Sequence, residues 1–281
     1  MKNISVVIVS YNNAEMLRNL LTGLARQSRL ADRIIVVDNA SSDRTSEMVA
    51  EEFAHIDFIR LPENTGSSGG YNVGIAAAMA GADGIWTLDD DVELQPDSLR
   101  NLVAGYVELS KSVRIGAVRS VGARHPIDYP TELDIAPWRG TLWSGDVVRA
   151  MGAPRSDYFI YGEDLEYSLR MHKYGYVCYW IPASKCIEVR KGKTDDQFLG
   201  TTVRIYSSPF RLYYAFRNEL NILLSYHRIG RLARLCLYAV KVVGYVGLTE
   251  RFQGGEKITA VLVGLAHGLL GRLGKSPRFL P

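Results

Sequence analysis

Apolar runs of strand length alternate with helix-length amphipathic segments from residue 4 to residue 118, and this alternation limits the fold more than any single motif. The runs are ISVVIV (4–9), RIIVV (33–37), DFIRL (57–61), GIWTL (84–88) and IGAV (115–118). Between them, segments 14–27, 43–54, 70–80 and 96–111 carry apolar residues at helical spacing. Ser42 or Asp43 is placed to cap the second helix, with Glu47 at capping-box distance, and Pro96 suits the first turn of the fourth. Such alternation predicts right-handed βαβ units and a mostly parallel sheet with helices on both faces. Ligands of sheets like this bind beyond the carboxyl ends of the strands. The exits are therefore the places to read: SYNN (10–13), DNASS (38–42), PENTG (62–66) and DDD (89–91), all polar.

The 281 residues suffice for a sizeable core, and 47% hydrophobic with 22% charged residues describes a globular chain. Net charge is +3, but eight basic against two acidic residues give +6 over 231–281, which leaves −3 for the first 230. Cys178, Cys186 and Cys236 are widely spaced and suggest neither zinc nor a disulfide framework, so a reduced, cytoplasmic setting is expected. MKNISVVIVSYNN reads as a first strand, with no secretory cleavage pattern. Residues 122–160, with Pro126, Pro130, Pro137 and Pro154, are expected to be loop-rich and to face an acceptor. A helix is expected from Glu163 to a C′ glycine at Gly175, followed by the short strand YVCYWIP.

Three aspartates at one strand exit repel one another unless a cation lies among them. In extended chain Asp89 and Asp91 point to one side and Asp90 to the other, a pattern suited to Mg²⁺ or Mn²⁺ shared with a diphosphate. A solvated loop near a helix start would account equally well for a single aspartate. NTGSSGGYNVG (64–74) permits close backbone approach and could meet phosphate or sugar hydroxyls, but a tight-turning loop would look the same, and the Lys of a P-loop is missing. SYNN in place of G-x-G-x-x-G argues against a dinucleotide fold. In GEDLE (162–166), carboxylates set against an aromatic run could serve as a base, or simply favour the helix dipole.

Taken in order, VVIVSYNN, IIVVDNASSD, the strand ending in DDD, NTGSSGGYNVG, TLWSGDVV and FIYGEDLEYSLR resemble the family 2 inverting glycosyltransferases of GT-A fold over residues 3–190. RLYYAFRNELNILL (211–224) further resembles their rhamnosyl- and galactofuranosyl-transferring branch, and the triple aspartate is more like the galactofuranosyl members. The resemblance implies an α/β GT-A domain over 1–203, followed by a helical, basic region over 204–281. It implies that Ser10, Tyr11, Asn12 and Asp38 hold the base and ribose of a nucleotide sugar, with Asn64, Gly69, Gly70 and Asn72 lining its pocket. Asp89 would face ribose or diphosphate, and Asp90 the donor sugar. Asp91, with Asp89, would bind Mg²⁺ or Mn²⁺. Trp143 would form an acceptor platform, and Asp164, with Glu163 beside it, would be the catalytic base. Glu188 stands at or near the position of a metal-binding His and is expected to replace it.

The implied partners are UDP-galactofuranose, or alternatively dTDP-rhamnose, and a glycan or glycolipid acceptor; nucleic acid is not expected. A sugar-phosphate nucleotidyltransferase shares the layout but opens on a glycine-rich basic loop that SYNN lacks, and a non-catalytic scaffold is the remaining class. The tail's uncharged apolar pieces, about 242–248 and 258–270, are too short to cross a bilayer. With interleaved Arg and Lys they suit the surface of an anionic membrane, giving a peripheral protein of the inner face. They would equally suit covering the domain or a second copy of the chain.

Overall fold

The computed structural model of the chain describes residues 1–123, 128–189, 194–198, 201–205, 208–250 and 254–280. Pro126, and Arg251 among the eight basic residues of the tail, lie outside these. The chain forms two compact units, Met1–Ser156 with Asp164–Arg190, and Asp157–Glu163 with Lys191–Pro281.

In the first unit the β-branched runs become β1 (Ile4–Ser10), β2 (Arg33–Asp38), β3 (Asp57–Arg60), β4 (Gly84–Asp89) and β6 (Ile115–Val121). The helices between them are α1 (Ala14–Ala25), α2 (Thr45–Glu52), α3 (Gly66–Ala78) and α4 (Ser98–Leu109), with the short β5 (Val92–Leu94) preceding the last. β7 (Thr131–Leu133), β8 (Thr141–Ser144), α5 (Gly145–Met151), α6 (Glu163–Lys173) and β9 (Val177–Glu188) follow. The sheet order is β3-β2-β1-β4-β8-β6-β9-β5, with β7 on β9. β1 pairs in parallel with both β2 and β4, whereas β8 runs antiparallel between β4 and β6.

Side chains alternate across this sheet as strand geometry requires. Ile4, Val6 and Ile8 join Leu17, Leu20, Leu24, Leu99 and Leu102 on one face, while Val7 joins Tyr71, Ile75, Val147 and Tyr167 on the other. The parallel register sets Ser10 beside Asp38 and Val9 beside Asp89, so three strand exits distant in sequence finish at one level.

Two local expectations change. α3 begins at Gly66, inside the segment read as a loop, because its glycines let the helix lie close on β1. A Cβ on Gly70 would stand 2.5 Å from Val9 Cγ1, and one on Gly74 2.5 Å from Val7 Cγ1. The N-cap of α2 is Arg44, while Asp43 accepts the Thr45 N–H at 3.1 Å. α6 ends as expected before Gly175, whose φ of +80° is the left-handed region open to glycine.

The second unit packs α7 (Pro209–Ser225), α8 (Ile229–Thr249) and α9 (Gly255–Leu269) around a separate apolar core, with a hairpin of β10 (Thr194–Phe198) and β11 (Thr201–Ile205). Here the Arg-Asn pair of YYAFRN has a structural task. The Asn218 amide donates to the carbonyls of Tyr158, Ile160 and Tyr161 at 3.0, 2.8 and 2.6 Å, and Arg217 donates to Tyr158 at 2.8 Å. The segment they grip holds Phe159 and Tyr161 at φ of +66°, a conformation that costs side-chain-bearing residues energy unless the surroundings fix it.

Candidate active site

The exits of β1 and β2 are laced together by their polar residues. Asp38 is fully buried, and its Oδ1 accepts the Ser41 N–H at 3.1 Å. Its Oδ2 lies 3.4 Å from the Arg60 guanidinium and, among the described residues, accepts no hydrogen bond. Asn12, at φ +50°, receives the Ser42 N–H on Oδ1 at 2.7 Å, and its own N–H donates to Ser41 Oγ. Tyr11 stands out, 44% exposed. Asn64 accepts the Gly66 N–H, and Asn39 bridges to Thr65 and to the Gly66 carbonyl, so the start of α3 is tied to the exit of β2. Asn72 donates to the Pro154 carbonyl at 2.7 Å. Gly69 and Gly70 are buried, Gly70 against Val9, so both positions leave no room for a Cβ.

The three aspartates separate. Asp90 accepts from Ser10 Oγ at 2.7 Å and from Asn13 Nδ2 at 2.8 Å, which ties the β1 and β4 exits together through both of its oxygens. Burial pushes its pKa up to about 6, against the pull of those two hydrogen bonds. Asp89 accepts the Tyr71 hydroxyl at 2.8 Å, and that ring stacks on Trp138 at 4.8 Å. Asp89 is raised by burial, and Asp164 and Glu188 push the same way while Arg139 opposes them. Asp91 is raised by burial and then by Asp89 and Glu188. Asp164, at the start of α6, accepts the Leu165 N–H and is half-buried, whereas Glu163 beside it is only 4% exposed. Of that pair, Asp164 is the one open to a ligand.

Two further expectations fail. Trp143 is no platform: all four residues of β8 are buried between β4 and β6, and the indole is 0% exposed with Nε1 donating to Thr87 Oγ1 at 3.1 Å. Glu188 is not a free ligand, because its carboxylate is paired with Arg139 at 2.5 Å. Among the described residues no three His, Cys, Asp or Glu side chains are arranged as a preformed metal cluster. Asp89 and Glu188 both raise Asp91, and the carboxylate oxygens of Asp91 fit a divalent cation whose remaining ligands come from a bound donor. Sequence reasoning missed Asn13, Tyr71, Arg119 and Arg139; only the polar character of the β1 exit hinted at the first.

Comparison with known proteins agrees with this geometry. Residues 5–144 match the family model of Glycosyl transferase family 2. The dTDP-rhamnosyl transferase RfbF of Shigella flexneri is 27% identical over 246 residues, covering 80% of this chain and 81% of its own. The galactofuranosyltransferase GlfT1 of Mycolicibacterium smegmatis is 24% identical over 211 residues, covering 66% and 68%. Among solved structures, the mannosyltransferase PcManGT from Pyrobaculum calidifontis, in complex with GDP-Man and Mn²⁺, superposes with a TM-score of 0.61 at 16% identity, over 96% of this chain and 88% of that one. With the α/β sheet, the strand-exit acids and these matches together, the chain belongs to glycosyl transferase family 2 and has the GT-A fold.

Proposed function

We propose that the chain is an inverting, divalent-cation-dependent transferase that moves a sugar from a nucleoside diphosphate donor to a hydroxyl of a glycan or glycolipid. The observation that carries this reading is the parallel register that brings Ser10, Asp38 and Asp89 to one level at the strand exits, where a donor binds in such sheets. Asp164 is half-buried at the head of α6, and its charge is among the influences that raise Asp89.

Asp164 accepts the proton of the acceptor hydroxyl, whose oxygen forms a bond to the anomeric carbon. The bond from that carbon to the phosphate oxygen breaks, and the nucleoside diphosphate leaves with the electron pair. Attack from the face opposite the leaving group inverts configuration in one step and needs only one protein base, unlike the paired carboxylates of glycoside hydrolases. Mg²⁺ or Mn²⁺ held by Asp91 would neutralise charge on the departing diphosphate. Tyr71 orients Asp89, and Ser10 and Asn13 fix Asp90 so that the strand exits keep their shape.

The donor we favour is UDP-galactofuranose, on the triple aspartate and the likeness to GlfT1. dTDP-rhamnose is the second reading, favoured by the greater share of this chain that RfbF covers. A screen of UDP- and dTDP-sugars for turnover, with Mn²⁺ and with EDTA, tests the reading. Turnover of one donor, abolished by EDTA, is expected; no turnover of any would overturn it.

We also read the second unit as attached to an anionic membrane surface, on the inner face of the cell membrane. α8 runs uninterrupted for 21 residues through Arg231, Arg234 and Lys241, so it is longer than the uncharged pieces suggest and is long and apolar enough to cross a membrane by length and composition. It buries Leu235, Ala239, Val242 and Val246 and exposes Leu237, Val240 and Leu248 on the other side. A helix with one apolar face already packed, basic residues and a second exposed apolar face suits the interface plane.

A further inference from the structure

The acidic cluster contains a cation of its own. Arg139 lies where the chain enters β8, and its position is fixed by the residue after it. Gly140, at φ +73°, donates its N–H to the Thr87 carbonyl at 3.0 Å and accepts the Ser120 N–H at 2.9 Å. A Cβ there would meet Cys186 Cβ at 2.9 Å, so the turn is pressed against β9 as well as bonded to β4 and β6. From this anchor the Arg139 side chain, still 28% exposed, reaches Glu188 at the end of β9. Glu188 pairs with Val92, and the neighbouring Val189 N–H donates to the Asp91 carbonyl at 3.0 Å, so the guanidinium's anchor adjoins Asp91 across the β5–β9 ladder.

Arg139 is more than a structural ion-pair partner. A guanidinium has five donors, and among the described residues its only hydrogen-bond partner is Glu188. Burial draws its pKa down, but Glu188 and Asp89 outweigh burial and the net direction is up. Behind it Arg119, 7% exposed, lies against the Trp180 ring at 4.3 Å, and among the described residues its Nε has no hydrogen-bond partner. Burial, followed by Arg139, brings Arg119 down to about 10. A guanidinium with donors to spare, half-buried beside a second one, suits an anion, and a planar fork pairs well with phosphate oxygens. Glu188 then serves to aim Arg139 and is no metal ligand.

We propose that Arg139, held by Glu188 and backed by Arg119, binds the diphosphate of the donor as a second cation beside Asp91. This rests on the glycosyl-transfer reading above, and the test separates the two. Binding of UDP and dTDP, and of the corresponding monophosphates, is measured by calorimetry on the full chain with Mn²⁺ titrated. For Arg139→Gln, the affinity for whichever diphosphate the wild type takes should fall by about 10- to 100-fold, and the preference for diphosphate over monophosphate should collapse. Arg139→Lys should recover part of it. Glu188→Gln should weaken diphosphate binding less and leave the half-saturating Mn²⁺ concentration unchanged. Wild-type affinity in Arg139→Gln overturns the proposal, as does equal loss of mono- and diphosphate binding, the result of a purely structural role. A tenfold higher Mn²⁺ requirement in Glu188→Gln overturns it too, by making Glu188 a metal ligand. If the wild type itself binds no nucleoside diphosphate, the glycosyl-transfer reading falls and takes this inference with it.

Discussion

Ser10 at the end of β1 donates its hydroxyl to Asp90 at the end of β4, 2.7 Å away, and Asn13 donates to the other oxygen of the same carboxylate. Ser10 and Asn13 are themselves buried. Asp90→Ala leaves both donors without that partner, at about 1–3 kcal/mol for a buried unsatisfied group. A fall in stability of that size is expected in urea unfolding; an unchanged midpoint would show that Asp90 does not tie the strands.

The glycines of α3 should behave as packing residues. Gly70→Ala forces a methyl onto Val9 and should cost about 1–3 kcal/mol. Gly23→Ala in α1 meets nothing within 4 Å and should gain about 0.5–1 kcal/mol from helix propensity. Thermal melts of the two variants should therefore shift in opposite directions.

These glycines also show where the sequence stops being legible. Strands β1, β2, β4 and β6 are plain in their β-branched runs, and the polar exits mark the working edge of the sheet. NTGSSGG reads as a loop because glycine is a breaker by propensity, and only the distance to Val9 reveals why helix won. TLWS was visible as a motif but not as a strand, since four residues carry no resolvable period, and Trp143 was assigned outward because burial is a property of neighbours. Arg139 could not be found at all: its meaning depends on Glu188 and Asp89, which come beside it only through the register of β8, β9 and β5.

The grip of Asn218 on residues 158–161 predicts a cooperative effect. Asn218→Ala removes one donor from the carbonyls of Tyr158, Ile160 and Tyr161 in a segment already held at positive φ; Tyr158 keeps Arg217, so loss of the other two contacts should destabilise by about 2 kcal/mol or more, at about 1–3 kcal/mol for each. Limited proteolysis should then cut near 157–163, where the wild type resists.

Membrane attachment through α8 is tested on its exposed face, because removing the helix would open the core it shares with α7 and α9. Leu237→Glu with Leu248→Glu should abolish flotation with vesicles of anionic phospholipid while leaving the melting temperature unchanged. Flotation equal to the wild type would place the attachment elsewhere or remove it.

Asp164 is the proposed base, and its most direct test is the rate of sugar transfer in Asp164→Asn with saturating donor and Mn²⁺. The substitution keeps shape and removes the base, so kcat should fall by about 10²- to 10⁴-fold with the affinity for nucleoside diphosphate unchanged. Transfer at the wild-type rate would contradict it.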